Sequence, residues 1–188
     1  MDEPHLRTAL RTLSETLTDR GISARVAVVG GAALLLTEGL HRPTQDVDVV
    51  AASTGPGPLR SDLQLPAELT EAARDVARIH SLDEDWLNAG ALGVISHLLP
   101  EGFEERLRSE AFGDGLIVSV LAREDLIRLK LFAANDEGPY GVHFDDLLAV
   151  GATDEELREA ATWVEERFPA APPGLEELLQ ELDRASRG

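Results

Sequence analysis

The sequence of 188 residues contains no cysteine. This absence excludes a disulfide framework, a thiolate metal site and a thiol nucleophile. Long apolar runs are also missing, because no segment approaches the roughly 18 apolar residues that a membrane-spanning helix needs. The N-terminus is acidic and amphipathic and lacks the basic and apolar regions of a signal peptide. We therefore expect a cytoplasmic protein without a membrane partner.

Positive charge is scarce as well. The chain has 17 Lys and Arg residues against 35 Asp and Glu residues, which gives a formal net charge of −18, and it has no basic run. Generic nucleic-acid binders carry basic patches that release counterions from phosphates. This composition excludes generic DNA binding by bulk electrostatics. It leaves open a partner held in a local positive groove, a small cationic partner and a protein.

The chain is long enough to bury a sizeable core as one domain. Its hydrophobic fraction of 43% is ordinary for a globular protein. Neither an internal repeat nor a linker between domains is visible in the sequence. We predict a single domain over residues 1–188.

Hydrophobic periodicity and capping signals predict the helices and strands. Helices are expected over residues 3–20, 32–39, 67–80, 124–135, 143–150, 153–168 and 175–185, and strands over 22–29 and 115–121. Residues 53–66 read as a loop by composition. Residues 86–88 are expected to end a helix, and residues 103–112 are open between helix and strand.

A further strand, which ends near Ala52, carries two carboxylates two positions apart. Because strand side chains alternate faces, Asp46 and Asp48 should point to one side while Val47 and Val49 point to the other. Two carboxylates about 7 Å apart repel each other unless a cation lies between them. A hard divalent cation fits, since Mg²⁺ takes one or two carboxylates, waters and phosphate oxygens.

A pair of glycines, Gly30 and Gly31, separates the first strand from the following helix. Without Cβ atoms, this turn allows a phosphate to approach the backbone N–H groups at the start of the helix. Taken alone, a Gly-Gly pair is usually a connector, and a lone Asp-x-Asp is usually a solvated strand edge. Their combination in this order and spacing favours a nucleotide site.

The combined motif, Gly-Gly-x(10)-Arg-x-Thr-x-Asp-x-Asp from Gly30 to Asp48, resembles the signature of DNA polymerase β-type nucleotidyltransferases. The Gly-Gly variant is typical of the AbiEii-like branch, which includes toxins of bacterial toxin–antitoxin systems. The resemblance implies an α+β fold with a small mixed sheet flanked by helices and a helical C-terminal part. It places the catalytic core at about 22–150 and the C-terminal helices at about 153–186.

The same resemblance implies the ligands and partners. Asp46 and Asp48 would hold Mg²⁺, with Mn²⁺ as an alternative. Gly30, Gly31 and Arg42 would bind the phosphates of a nucleoside triphosphate. Thr44 is counted among the nucleotide-binding residues, and its hydroxyl is better suited to positioning the carboxylate strand through a hydrogen bond than to touching the substrate. A cognate antitoxin protein would be a further partner.

Lys130 is the only lysine in the chain. Its neighbours one helical turn away, such as Ile127 and Ala134, are apolar, so the side chain should emerge from the apolar face of its helix. Burying an unpaired charge is costly, and an inward lysine therefore needs a partner. A triphosphate or Asp146 would serve, and a lysine reaching out from the edge of the core is the structural alternative.

The segment from Lys130 to Leu147 also resembles the AbiEii-like family. In that family a lysine is followed some fifteen residues later by a basic-x-x-Asp-Leu element. By this resemblance, Lys130 would contact the nucleotide phosphates and Asp146 would complete the active site. His143 stands where the family often has a basic residue, and we assign it no catalytic role.

The sequence departs from the family on the strand predicted at 115–121. Many polymerase β-type enzymes carry a third metal carboxylate on such a strand, and here there is none. Asp114 and Asp125 flank the strand but would be poorly placed. Either Asp146 substitutes for that carboxylate or metal binding is weaker than usual.

Three functions compete. The first is transfer of NMP from an NTP to an acceptor hydroxyl on RNA, such as tRNA, by a toxin-like enzyme. The second is the same chemistry on a small cationic molecule such as an aminoglycoside, which suits the acidic charge. The third is a degenerate member that acts as a binding protein. A Rossmann-type dinucleotide site is disfavoured, because the third glycine is missing at the expected spacing.

Overall fold

The computed structural model describes residues 1–38, 42–62, 64–90, 98–139, 141–169 and 174–187. The chain divides into two compact units, residues 1–122 and residues 123–188. In the described residues, all strands belong to the first unit, and the second unit is helical. The mixed α+β composition predicted from the sequence is confirmed.

The first unit alternates helices and strands. In chain order its elements are α1 (Glu3–Asp19), β1 (Ala24–Val29), α2 (Gly30–Glu38), β2 (Val47–Thr54), α3 (Ala67–His80), β3 (Leu87–Asn88), α4 (Phe103–Arg106), β4 (Arg108–Ala111) and β5 (Leu116–Val120).

Helix α1 shows how local signals and burial agree. The side chain of Asp2 caps the helix by accepting a hydrogen bond from the backbone N–H of His5 at 3.0 Å. The leucines at helical spacing, from Leu6 to Leu17, are fully buried. Helix α1 packs against α3 and β5. Its apolar stripe is therefore buried against these elements.

The five strands form one mixed sheet in the order β3-β2-β1-β5-β4. The central strand β1 is antiparallel to β2 and parallel to β5; β3 joins β2 in parallel, and β4 is antiparallel to β5. A bulge in β2 occurs at Val50, because Ala27 pairs with Ala51 and Val28 pairs with Val49. The bulge lies directly beyond the carboxylate end of β2, and such features re-aim side chains near functional sites.

The prediction that residues 86–88 end a helix is wrong. Leu87–Asn88 form the strand β3, which pairs with Val47–Asp48 of β2. Trp86 is fully buried, and its indole N–H donates to the carbonyl of Ala73 at 2.9 Å. Tertiary pairing therefore decides the conformation of this segment, which local pattern could not reveal.

Other boundaries shift by a few residues. Helix α2 begins at Gly30, two residues before its predicted start, and its predicted end at Gly39 lies outside the described residues. Strand β2 begins at Val47, so Asp46 precedes the strand, and it continues to Thr54, into the predicted loop. The open segment 103–112 contains both α4 and β4.

The second unit consists of four helices in the described residues: α5 (Arg123–Glu137), α6 (Val142–Ala149), α7 (Asp154–Arg167) and α8 (Leu175–Ser186). Helix α7 begins with the predicted capping box. The Thr153 hydroxyl accepts from the N–H of Glu156 at 3.2 Å, and the Glu156 carboxylate accepts from the N–H of Thr153 at 2.8 Å. All four helices contribute to one core, which includes Leu131, Phe144, Val164 and Leu178.

None of the helices in the described part of the chain combines the length and hydropathy needed to span a bilayer.

Candidate functional site

The junction of β1 and α2 is built around Gly30. Strand β1 ends at Val29 and α2 begins at the next residue, without an intervening loop. Gly30 has a φ of +71°, in the left-handed region that favours glycine. A Cβ at this position would lie 2.8 Å from Oδ2 of Asp48. Glycine is therefore required both for the turn and for the close approach of the carboxylate.

Gly31 makes room for the segment that precedes β2. A Cβ on Gly31 would lie 2.9 Å from the hydroxyl oxygen of Thr44 and 3.9 Å from Nη2 of Arg42. The Thr44 hydroxyl donates to the carbonyl of Asp46 at 3.0 Å, and the Thr44 N–H donates to the carbonyl of Met1 at 2.9 Å. The predicted hydroxyl hydrogen bond of Thr44 is thus confirmed.

Burial alternates around the two carboxylates of the motif, although Asp46 precedes β2. Val47 and Val49 are buried at 1% and 0% exposure, whereas Asp46 and Asp48 are half-buried. Asp48 pairs with Val29 across the β1–β2 ladder, which places it at the same edge of the sheet as the glycine turn. The glycines, Arg42, Thr44 and both carboxylates therefore belong to one site in the first unit.

Asn88 is a member of this site that the sequence did not reveal. In the β2–β3 ladder Asn88 is the partner of Asp48. Its amide Nδ2 donates to Oδ2 of Asp46 at 3.4 Å. A strand of two residues shows no hydrophobic period, so nothing in the sequence identifies Asn88.

Asp114, one of the two flanking acids, is not placed to supply the third carboxylate. Strands β1 and β5 are parallel, with Ala24 level with Leu116, so Asp114 lies at the end of the sheet away from Asp48. Asp125 belongs to the second unit, where it is fully buried and paired with Arg128 at 2.8 Å. In the part of the chain that the structure describes, no group of three or more His, Cys, Asp or Glu residues is arranged to hold a metal ion.

Lys130 finds its partner within the second unit. Its Nζ donates to Oδ2 of Asp146 at 2.7 Å, and Nδ1 of His143 lies 3.2 Å away. Lys130 is 8% exposed and Asp146 is 1% exposed, whereas Asp145 is exposed. Of the two partners considered from the sequence, Asp146 forms the pair. Any contact of this pair with a nucleotide stays a prediction.

The site in the first unit has the donors that a hard divalent cation prefers. Asp46 and Asp48 supply carboxylate oxygens that are partly open to solvent. Mg²⁺ is commonly held by one or two carboxylates and completes its coordination with waters and substrate phosphates. The two carboxylates that the described residues bring to this site therefore suit an ion that a nucleotide helps to bind.

The acidic end of β2 and the glycine turn lie at one end of a mixed sheet, so carboxylates and the first backbone N–H groups of a helix come together there, and such N–H groups are suited to binding phosphate. Residues 5–151 match the model of a family described as nucleotidyltransferase of unknown function (DUF6036). This range covers most of the chain and includes Gly30–Asp48, Lys130 and Asp146. The chain therefore belongs to this family of nucleotidyltransferases. Searches of curated proteins and of solved structures found no match.

Proposed function

We propose that this chain is a metal-dependent nucleotidyltransferase with a polymerase β-type fold, which transfers NMP from an NTP to an acceptor hydroxyl. The observation that carries the proposal is the approach of Asp48 to the Gly30 turn, where a Cβ would lie 2.8 Å from the carboxylate oxygen. Family membership supports the same reaction class. An arrangement that leaves no room for a side chain puts negative charge beside the first N–H groups of a helix, where nucleotide phosphates and a divalent cation can be bound together.

In this proposal Asp46 and Asp48 hold Mg²⁺ or Mn²⁺. When bound, such an ion neutralises charge on the phosphates of the nucleotide. The backbone N–H groups at the start of α2, from Gly30 and Gly31, bind the β- and γ-phosphates, and Arg42 assists them.

The acceptor hydroxyl attacks the α-phosphorus in line. A bond forms between the hydroxyl oxygen and phosphorus, the bond to the bridging oxygen of pyrophosphate breaks, and the hydroxyl proton passes to a carboxylate of the site. The chain contributes mainly positioning and electrostatic stabilisation to this reaction.

Lys130 and Asp146 have a proposed role of their own. A lysine ammonium held 2.7 Å from a carboxylate is oriented, and it has donors left over for a phosphate oxygen. We assign Lys130 a phosphate contact and Asp146 the task of holding Lys130 in place. Binding of NTP and Mg²⁺ to Lys130→Met tests this assignment, and wild-type affinity in that variant would contradict it.

For the acceptor, we favour RNA such as tRNA, with the chain acting as a toxin of the AbiEii-like branch alongside a cognate antitoxin. A small cationic acceptor, such as an aminoglycoside, is the second candidate, and the net charge of −18 favours it. Strong expression of the wild type should arrest growth if the toxin assignment holds. Normal growth in several hosts would contradict the toxin assignment and leave the chemistry untouched.

The proposal is tested by incubating the protein with each radiolabelled NTP, Mg²⁺ and either total RNA or a panel of aminoglycosides. We expect label from one NTP to appear in one class of acceptor. Asp48→Ala should lose this transfer, and Asp114→Ala is the control, since Asp114 is an exposed acid at the far end of the sheet. Absence of transfer together with absence of NTP binding would favour the third function, a binding protein.

A further inference from the structure

Asn88 lies beside the carboxylates because a two-residue strand is added to the edge of the sheet. Leu87 pairs with Val47 and Asn88 with Asp48, in parallel. The pairing is anchored one residue earlier, where the N–H of Val47 donates to the carbonyl of Trp86 at 2.6 Å. Since Trp86 is fully buried, this edge strand is tied to the core of the first unit.

Three hydrogen bonds fix the orientation of the Asn88 amide. The N–H of Gly90 donates to Oδ1 at 2.7 Å, so the carbonyl oxygen of the amide faces Gly90. The amino group Nδ2 then faces the carbonyl of Asp85 at 3.2 Å and Oδ2 of Asp46 at 3.4 Å. All three partners require the same orientation of the amide, because an N–H needs an acceptor and two oxygens need a donor.

Gly90 completes this arrangement. A Cβ on Gly90 would lie 2.9 Å from Oδ1 of Asn88, closer than ordinary contact allows. Any side chain at position 90 would therefore displace the amide of Asn88.

The chemistry of an amide donor differs from that of a cation. A neutral N–H group directs a carboxylate without neutralising its charge, whereas an ammonium forms an ion pair that competes with other cations. Ligating carboxylates in metal sites are commonly held by such outer hydrogen bonds.

We propose that Asn88 is a positioning residue that orients the Asp46 carboxylate toward the divalent cation. This inference rests on the proposed function, because it requires that Asp46 binds the cation. Asn88 acts through Asp46 and does not itself contact the ion or the nucleotide.

The test is a titration of the full-length protein with Mn²⁺, with free Mn²⁺ followed by electron paramagnetic resonance at fixed pH. We expect Asn88→Ala to weaken Mn²⁺ binding about tenfold or more, as loss of an outer hydrogen bond to a metal ligand does. Gly90→Ala keeps the asparagine but displaces its amide, so it should weaken binding in the same direction. Asp85→Ala is the control, since it removes an exposed carboxylate nearby and keeps the backbone carbonyl that Asn88 uses.

The outcomes separate this inference from the proposed function. If the wild type binds Mn²⁺ and Asp46→Ala does not, while Asn88→Ala and Gly90→Ala bind like the wild type, the positioning role is wrong and the proposed function stands. If the wild type and Asp46→Ala bind Mn²⁺ equally weakly, Asp46 does not bind the cation. Both the metal site of the proposed function and the positioning role of Asn88 are then wrong. Should Asn88→Ala unfold, Gly90→Ala alone decides, because its melting temperature without metal shows whether the fold is intact.

Discussion

One carboxylate of each unit, Asp46 in the first and Asp146 in the second, is held in an opposite way. Asp46 is half-buried and accepts a hydrogen bond from the neutral amide of Asn88. In the second unit Asp146 is buried, and the ammonium of Lys130 lies 2.7 Å from it. A carboxylate oriented by an amide and open to solvent keeps its charge available for a ligand. A carboxylate that is buried beside a cation uses its charge in an ion pair that stabilises its own unit.

The energetic reason is the cost of desolvation. Removing one partner of a buried ion pair leaves an uncompensated charge and lowers the free energy of unfolding by about 3–5 kcal/mol. Replacing a partly exposed carboxylate lowers it much less. Substitutions in the first unit should therefore act mainly on activity, whereas substitutions at the ion pair of the second unit should in addition lower stability.

The largest effect is expected from the motif carboxylates. Asp46→Ala and Asp48→Ala should each lower nucleotidyl transfer about 10³-fold or more, since each removes a charge that the bound cation needs. Their melting temperatures should stay close to that of the wild type, because both side chains are half-buried rather than core residues. Transfer assays and melting curves of the same preparations check both parts. Wild-type turnover in either variant would show that the metal assignment is wrong.

Lys130→Met should differ from these variants by losing stability as well as NTP binding. It strands the buried Asp146, so the free energy of unfolding should fall by about 3–5 kcal/mol. Denaturant unfolding measures this loss, and Arg184→Met is the matched control, since Arg184 forms an exposed pair with Glu181 worth at most about 1 kcal/mol. If Lys130→Met instead kept its stability and lost NTP binding, the lysine would serve the nucleotide more than the fold.

Gly30→Ala tests the close approach of Asp48. An alanine at a left-handed φ costs about 1–2 kcal/mol by itself, and the contact with Asp48 should add about 1–3 kcal/mol. Gly55→Ala isolates the first part, because Gly55 has a φ of +75° and open space where its Cβ would be. Activity should fall about 100-fold in Gly30→Ala only, since a displacement near 1 Å has that effect. Equal behaviour of the two variants would mean that Asp48 moves aside freely.

The smallest effect is expected in the second unit at Glu156. The side-chain hydrogen bond from Arg123, at 2.7 Å, holds the pKa of Glu156 below its ordinary value. A lowered pKa in the folded state contributes stability above the unfolded pKa of about 4.5, and that stability is lost as the pH falls through the folded pKa. Because both groups are partly exposed, the contribution at pH 7 should stay below about 1 kcal/mol.

The measurement for Glu156 is unfolding at pH 7 and pH 3. Glu156→Gln should be less stable than the wild type at pH 7, and the difference should shrink at pH 3. Glu159→Gln, on an exposed position of the same helix, controls for the change in net charge. A difference that grows at low pH would contradict a lowered pKa for the Glu156 carboxyl in the folded protein.

Elements with a strong period or cap could be predicted closely. Helix α3 spans the predicted residues 67–80, and α7 opens with the predicted capping box at Thr153. The motif residues from Gly30 to Asp48 also come together, because strand, turn and strand are adjacent in sequence and need only local geometry to meet.

The remainder depends on long-range contacts. Asn88 reaches Asp46 across 42 positions of sequence through strand pairing, which no local pattern records. The predicted reason for the glycines is also incomplete. From the sequence, the two glycines are explained by the approach of a phosphate to the backbone. The structure shows that the side chains of Asp48 and Thr44 also occupy the space beside Gly30 and Gly31.

The contact of Gly30 with Asp48 also restricts how the family can vary. Any side chain at position 30 would meet the carboxylate oxygen 2.8 Å away, so a larger residue there requires a shorter one at position 48. The two positions should consequently covary in an alignment of relatives, with glycine at 30 wherever aspartate occupies 48. Members that have lost the carboxylate are released from this restriction. A side chain at position 30 would then mark, from sequence alone, a relative that no longer holds a cation in this way.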